Sequence, residues 1–269
     1  MEKKTLPTVI PKRLFSLEET MPGEKLYEVC VLLKDKPGAL AKAAQTLADA
    51  GVNIKAESSF YVPNYEGVCF WTAFLDVSKT ALNVNSLKET LLDLDVIEDA
   101  RIEEPSPVPF EVVHFPTMHA NTRAIIMPIG SYWALMSRLE KILTPSGMTA
   151  LHYDAGKNVG EHMATRLREI YHLDVDGLIK AFGQAEKAIG WGIFEFRDID
   201  LKNRTGTVVV RDSFEAEALG KKNYPVCDVT RGVIAGFMSE VLGKCVEVKE
   251  TKCLANGSDH CEFVMQSEL

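Results

Sequence analysis

Three prolines at alternate positions, Pro105, Pro107 and Pro109, divide the chain into two parts that are each long enough to fold alone. Alternate prolines hold the backbone extended and exclude a helix, which is typical of a linker between domains. A second stretch without a clear helix or strand pattern runs from residue 114 to residue 121. The sequence therefore predicts four segments, which are an N-terminal tail (1–23), a first domain (24–104), a linker (105–121) and a second domain (122–269).

The composition is that of an ordinary folded protein, with 46% hydrophobic and 25% charged residues among the 269. The net charge of -8 opposes binding to nucleic acid and to anionic membranes. No apolar run approaches the roughly 18 residues of a transmembrane helix, and the basic N-terminus lacks the apolar core of a signal peptide. With six cysteines and no export signal, we expect a cytoplasmic protein whose thiols stay reduced.

The first domain alternates strand and helix patterns in the order βαββαβ. Its first strand, residues 26–34, ends in a turn where Asp35 is the candidate N-cap of a helix. Apolar residues at helical spacing follow this turn, and Gly51 ends the predicted helix. The remaining pattern predicts a hairpin (52–62 and 68–77), a helix through Leu87, Leu91 and Leu94, and a closing strand (96–103).

Two short motifs in this domain, Asp35-Lys36-Pro37-Gly38-Ala39-Leu40 and Gly51-Val52-Asn53-Ile54, carry a family resemblance. The domain resembles the ACT domain, a small ferredoxin-like regulatory module that in many proteins pairs side by side and binds an amino acid. Gly38 would let a ligand approach the backbone, and amides at a helix N-terminus attract a carboxylate. The alternative is an ordinary turn in a domain that only dimerises. The resemblance implies amino-acid contacts at Asp35, Gly38, Ala39, Leu40, Asn53 and Ile54.

The second domain mixes helix and strand patterns, which predicts an α+β fold. Gly156 and Gly160 lie four residues apart in one predicted helix, a spacing that allows close approach of another helix. Asn256-Gly257 is a hairpin signal between the last two strands. The predicted helices cover residues 131–143, 150–171, 177–188 and 226–242, and the predicted strands cover 190–200, 206–212, 245–254 and 260–265.

Cys253 and Cys261 lie four residues on either side of Gly257 in the last predicted hairpin. In a symmetric hairpin their side chains face each other, within reach of one ion. Glu250 on the same strand and Cys227 at the start of the preceding helix could complete a tetrahedral zinc shell of three thiolates and one carboxylate. Four protein ligands leave no open position for water, which indicates a structural role rather than a catalytic one.

Other interpretations of these cysteines remain open from the residues alone. Cys253 and Cys261 could be buried thiols, or they could form a disulfide, which a reducing compartment disfavours. His260 could replace Glu250 as the fourth ligand, because imidazole is a common zinc donor. Cys245 is expected to be packed outside the shell.

Three segments around the cysteines carry a second resemblance, namely Tyr224-Pro225-Val226-Cys227, Glu250-Thr251-Lys252-Cys253 and the run from Gly257 to Phe263. They resemble the 4-vinyl-reductase-like domain, a family that includes the sensory domains of aromatic-responsive transcription activators. The resemblance implies an α+β ligand-binding domain that follows the ferredoxin-like one. It also implies a zinc held at the positions that match Cys227, Glu250, Cys253 and Cys261.

The second resemblance further implies an apolar cavity, which Trp191, Phe194 and Phe237 could line. Aromatic residues at such spacing are, however, more often ordinary core. Arg211 stands where the aromatic sensors carry a tryptophan, and Arg231 lies in the helix after Cys227. If either arginine points inward, it would favour an anionic head group; if both form surface ion pairs, the cavity is purely apolar.

We therefore expect a small-molecule-binding regulatory protein, with an apolar or amphipathic ligand in the second domain and an amino acid or a dimer contact in the first. The sequence contains no nucleotide-binding glycine motif, serine nucleophile elbow or His-Glu-x-x-His pattern, which favours binding over catalysis. We expect a homodimer through the sheet face that carries Phe70 and Phe74, opposite Trp71. The alternatives are a reductase or accessory factor for a hydrophobic substrate, and a dimeric assembly subunit.

Overall fold

The computed structural model describes residues 24–60, 65–104, 117–119 and 122–267. The chain forms two compact units that divide between Ile125 and Ile126. The predicted tail and most of the predicted linker lie outside the described residues.

The N-terminal unit is an antiparallel four-stranded sheet with two helices, in the order βαββαβ that the sequence predicts. The strands lie in the order β2-β3-β1-β4, so the first strand is central. Two very short strands, β5 and β6, pair with each other after the sheet. The elements are β1 (Leu26–Lys34), α1 (Ala39–Asp49), β2 (Asn53–Phe60), β3 (Val68–Asp76), α2 (Val84–Leu92), β4 (Ile97–Glu103), β5 (Met118–His119) and β6 (Thr122–Arg123). The identity of this unit as an ACT domain stays a prediction.

Every second residue of β1 points into one hydrophobic core. Val31 lies opposite Trp71 in the sheet, and Trp71 is fully buried. Leu47 of α1 and Leu87 of α2 belong to the same core, so both helices cover this face. Burial of each such large side chain stabilises the fold by about 1.5–3 kcal/mol.

The other face of the sheet is also buried within this chain, which corrects the prediction that it lacks cover. The register places Phe70 opposite Leu32 and therefore, as predicted, on the face away from Trp71. Thr72 and Phe74 are nevertheless buried on this face. A homodimer through this face would therefore bury less new apolar surface than the sequence suggests, and dimerisation stays a prediction.

The first helix begins at Ala39 with Gly38 as its N-cap, so the prediction of Asp35 as N-cap is wrong. Gly38 has a φ of 86°, a left-handed conformation that glycine adopts without strain. Lys36 precedes a proline, and such residues avoid the helical region, which delays the start of the helix. The backbone N–H of Asp35 instead donates to the carbonyl of Gly67.

The C-terminal unit is a mixed α+β fold built on a second antiparallel sheet, in the order β7-β8-β10-β9. Its helix α6 is a short element that the sequence pattern does not predict. None of the helices in the described residues has both the length and the apolar character required to cross a membrane. The elements are α3 (Ile129–Leu139), α4 (Pro145–Tyr171), α5 (Val175–Ala188), β7 (Ile193–Asp200), β8 (Thr205–Arg211), α6 (Phe214–Leu219), α7 (Asp228–Leu242), β9 (Val246–Lys252), a 3-10 turn (Leu254–Asn256) and β10 (Cys261–Ser267).

The last two strands are part of this larger sheet and not an isolated ribbon. Strand β10 pairs with β9 on one side and with β8 on the other. Phe263 of β10 lies opposite Val208 of β8, and both side chains are fully buried. The final hairpin is therefore held by the sheet itself as well as by any metal.

Helices α4 and α7 pack backbone against backbone through four glycines. A Cβ atom on Gly156 would overlap the carbonyl oxygen of Val229, and one on Gly160 would overlap that of Val233. Gly232 and Gly236 of α7 lie equally close to the carbonyls of Tyr153 and Lys157 on α4. The predicted close approach at Gly156 and Gly160 is therefore confirmed.

Candidate metal centre

Four side chains from separate elements converge in the C-terminal unit. Cys227 is the N-cap of α7, Glu250 lies on β9, Cys253 directly precedes the 3-10 turn, and Cys261 begins β10. Their ligand atoms all lie within 4.8 Å of one another. The three cysteines have no solvent exposure, so the cluster is an interior feature.

The sulfur spacing matches tetrahedral coordination and excludes a disulfide. The Sγ atom of Cys227 lies 3.8 Å from that of Cys253 and 3.7 Å from that of Cys261. Two sulfurs bound at about 2.3 Å to a tetrahedral zinc ion are about 3.8 Å apart. A disulfide requires about 2.05 Å, and all six cysteines are free thiols.

Glu250 holds one carboxylate oxygen ready for a ligand. Its Oε2 accepts a hydrogen bond of 3.0 Å from the backbone N–H of Cys227. Its Oε1 is buried and has no hydrogen-bond partner among the described residues. Because an unpaired buried carboxylate oxygen is costly, this atom fits the place of a metal ligand.

The electrostatics of the cluster also call for a cation. Burial, followed by contact with Cys253, raises the pKa of the Glu250 carboxyl to about 9. Contact with Cys253 and Cys261, together with burial, raises the pKa of the Cys227 thiol. Each of these shifts opposes the ionised form that binds a metal, and a bound cation would reverse it. The cluster can therefore hold a metal ion.

Neighbouring groups fix the position of the cysteine at the start of α7. The hydroxyl of Ser213 lies 3.6 Å from the Sγ of Cys227. The carboxylate of Glu215 accepts hydrogen bonds of 2.9 Å from the backbone N–H groups of Val229 and Thr230, which have no partner within the first turn of the helix. The sequence analysis assigned neither Ser213 nor Glu215 a role.

Two further sequence predictions concern the edge of this cluster. The ligand atoms of His260 are not among those that converge; its Nδ1 lies 2.6 Å from Asp259 Oδ1, so the geometry favours Glu250 as the fourth ligand. Cys245 lies outside the cluster, as predicted. It is, however, exposed and not packed, because it precedes β9 at the surface turn after α7.

The aromatic residues predicted to line a cavity pack against one another. The rings of Phe182 and Phe237 have centroids 4.2 Å apart, and both side chains are fully buried. Phe194 meets Phe182 edge-to-face at 5.5 Å. Trp191 instead packs on Phe214, with centroids 4.7 Å apart, at the entrance to α6. Phe237 is therefore core, whereas Trp191 and Phe194 are only partly buried.

Both predicted arginines are engaged in ion pairs away from this aromatic core. Arg211 is exposed and lies 3.0 Å from the carboxylate of Glu195. Arg231 pairs with Asp228 at 2.9 Å and covers the ring of Tyr153. It lines an open surface cleft of about 380 Å³ that also reaches Glu250. The condition for an anionic head group, an arginine pointing inward, is therefore not met.

Sequence reasoning missed three buried polar side chains of this unit. The hydroxyl of Tyr132, the Nε2 of His152 and the Oε2 of Glu186 have no hydrogen-bond partner among the described residues. Glu186 follows Phe182 by four residues on the buried face of α5, so an acid within an apolar helical stripe was a readable signal. Burial alone raises the pKa of the Glu186 carboxyl to about 8.

We expect the Glu186→Gln variant to gain stability over the native chain as the pH rises. The folded chain retains a proton on Glu186 up to about pH 8, whereas the unfolded chain releases it near pH 4.5. The native free energy of unfolding therefore falls by up to ~1.4 kcal/mol per pH unit in this window. Urea unfolding should show similar stability for both proteins at about pH 4 and an advantage of a few kcal/mol for the variant at about pH 8.5. A constant difference at both pH values would contradict the buried-acid assignment.

The residues predicted to contact an amino acid lie in two places in the N-terminal unit. Asn53 and Ile54 begin β2, and Ile54 packs against the core. Leu40 is exposed, and Ala39 is buried at the start of α1. The other four predicted contacts occupy the junction between β1 and α1, namely Asp35, Gly38, Ala39 and Leu40.

Comparisons with known proteins place this cluster in a family context. Residues 207–267 match the family model of the 4-vinyl-reductase domain. An uncharacterized protein of Methanocaldococcus jannaschii is 24% identical over 143 residues, which are 53% of this chain and 78% of that protein. The phenol regulator MopR of Acinetobacter guillouiae is 33% identical over 69 residues, which are 24% of this chain and only 12% of MopR.

One solved structure shows the fold of the C-terminal unit. It is the phenol-responsive sensory domain of the transcription activator PoxR with phenol, at a TM-score of 0.50 and 21% identity. The likeness covers 54% of this chain and 77% of that one. The C-terminal unit thus has the fold of this sensory domain and carries a 4-vinyl-reductase domain at residues 207–267.

Proposed function

We propose that this chain is a cytoplasmic regulatory protein whose C-terminal unit is a zinc-stabilised sensor for an apolar or amphipathic small molecule. The observation that carries the proposal is the cluster of three cysteines and Glu250, which lies within and directly before the β9–β10 part of the segment that matches the 4-vinyl-reductase domain. The similarity to MopR, a phenol regulator, supports the ligand-binding role.

Zinc is the metal that this donor set fits best. Thiolates select zinc over the hard cations magnesium and calcium, which take oxygen ligands. The ligands belong to the start of α7, to β9, to the turn after it and to β10, so a bound ion would tie the helix to the sheet. Zinc supplies a structural crosslink there, because four protein ligands complete its tetrahedral shell.

The N-terminal unit would supply the second regulatory function. Its βαββαβ order and its sheet order β2-β3-β1-β4 support an ACT-type module. Gly38 faces open space at the start of α1, where backbone amides suit the carboxylate of an amino acid. This unit would bind an amino acid or pair with a second copy of the chain, and the signal would pass to a partner protein.

Native mass spectrometry of the full chain, purified without chelator, tests this proposal. We expect a homodimer with one zinc per chain and either a co-purified organic molecule or uptake of added phenol, used here as the probe. A co-purified redox cofactor would favour a reductase instead. A dimer that takes up neither phenol nor any other member of an apolar ligand panel would favour an assembly subunit.

A further inference from the structure

We propose that the ligand of the C-terminal unit carries a protonated amine on an apolar or aromatic body, and that Glu186 is the residue that binds the ammonium group. This inference rests on the proposed function, since it assumes that the unit binds a small molecule.

Glu186 is a buried acid without a protein partner for one of its oxygens. Its side chain is 1% exposed, and its Oε2 makes no hydrogen bond among the described residues. The ion pairs found in the described part of this unit leave it out. Burial of a polar group without a partner is costly, so such a group in a binding domain points to a ligand that supplies the partner.

Aromatic rings occupy the surroundings of Glu186 along the chain. One turn earlier on the same face of α5, Phe182 packs on Phe194 and Phe237. Just beyond the helix, the backbone N–H of Trp191 donates to the carbonyl of Glu186. The ring of Trp191 continues into a stack with Phe214 and Tyr132. Aromatic faces attract cations and repel anions, so an acid beside them suits an ammonium group.

The arginines that flank this aromatic core are engaged with other acids. Arg197 and Arg211, on β7 and β8, both pair with Glu195. Burial is the one cause of the raised pKa of Glu186, with no opposing contribution from a nearby cation. An ammonium ligand would supply that missing charge and would favour the ionised carboxylate.

A matched pair of probes separates charge from shape. 2-Phenylethylamine and 2-phenylethanol differ in one terminal group, and the amine is cationic at neutral pH. Isothermal titration of the full-length chain should show at least about tenfold tighter binding of the amine. The Glu186→Gln variant keeps the shape of the side chain and should lose this preference while still binding the alcohol. Glu169→Gln, which removes an exposed acid on α4, should retain the preference.

Each result decides the proposal. Equal affinity of the native chain for both probes, or an unchanged preference in Glu186→Gln, overturns the role of Glu186 but leaves the sensor function intact. Failure of both probes and of phenol to bind at millimolar concentration overturns the inference and the proposed function together. If Glu186→Gln does not fold, the preference of the native chain for the amine still decides the ligand class, and Glu186→Asp, which retains the acid, should preserve it.

Discussion

Replacement of Cys253 by serine should release the metal and unfold the C-terminal unit at a much lower temperature. The Sγ atom of Cys253 lies 3.8 Å from that of Cys227 and is fully buried, so the ion would lose a ligand that solvent cannot replace. Structural zinc sites contribute about 10–16 kcal/mol of binding free energy in small domains, and this becomes folding free energy. We therefore expect a loss on the order of 5 kcal/mol, because the sheet around β10 keeps part of the unit folded. Scanning calorimetry with metal analysis measures both effects.

Cys245→Ser is the matched control, because Cys245 is exposed and lies outside the cluster. It should keep the full zinc content and shift the melting temperature little. The N-terminal unit has its own core and should melt as in the native chain in both variants. Retention of zinc by Cys253→Ser, or equal destabilisation by both variants, would contradict the metal assignment.

Replacement of Gly236 by alanine should separate α4 from α7 and destabilise the C-terminal unit. The new methyl group would overlap the carbonyl oxygen of Lys157, which belongs to the backbone of α4 and cannot rotate away. Overpacking of a core costs about 1–3 kcal/mol when side chains can adjust. Because backbone must move here, we expect about 3 kcal/mol or more, against the roughly 1 kcal/mol that alanine gains over glycine in a helix. Urea unfolding of the full chain measures this change.

Gly130→Ala provides the control for helix propensity. Gly130 lies in α3 with no atom near the position of an added Cβ. The change should stabilise α3 by up to about 1 kcal/mol. A Gly236→Ala variant that is as stable as the native chain would show that α4 and α7 do not pack backbone against backbone.

Elements with a strong local pattern were predictable from the sequence. β1 was predicted at its observed bounds because its Val and Leu residues are buried on both faces of the sheet. The convergence of Cys253 and Cys261 was predictable because a hairpin places residues at equal distances from its turn side by side. Cys227 and Glu250 were added by chemistry and family resemblance, and the structure brings both to the cluster.

Other features depend on contacts that no local pattern encodes. Helix α6 has six residues, too few for a helical period, and it depends on a cap from Ser213. The insertion of β10 between β8 and β9 is a long-range pairing that sequence separation does not reveal. The ion pair between Arg211 and Glu195 is set by the register of β7 on β8, so the outward direction of Arg211 became clear only in the structure.

The zinc content of the native full-length chain tests the central claim most directly. Protein purified in the absence of chelator and of immobilised metal should contain one zinc per chain by inductively coupled plasma mass spectrometry. Native mass spectrometry should show the same ion, and its removal by a strong chelator should lower the melting temperature of the C-terminal unit. Less than about 0.2 zinc per chain, with no gain in stability on zinc addition, would contradict the account and identify Cys227, Cys253 and Cys261 as buried thiols.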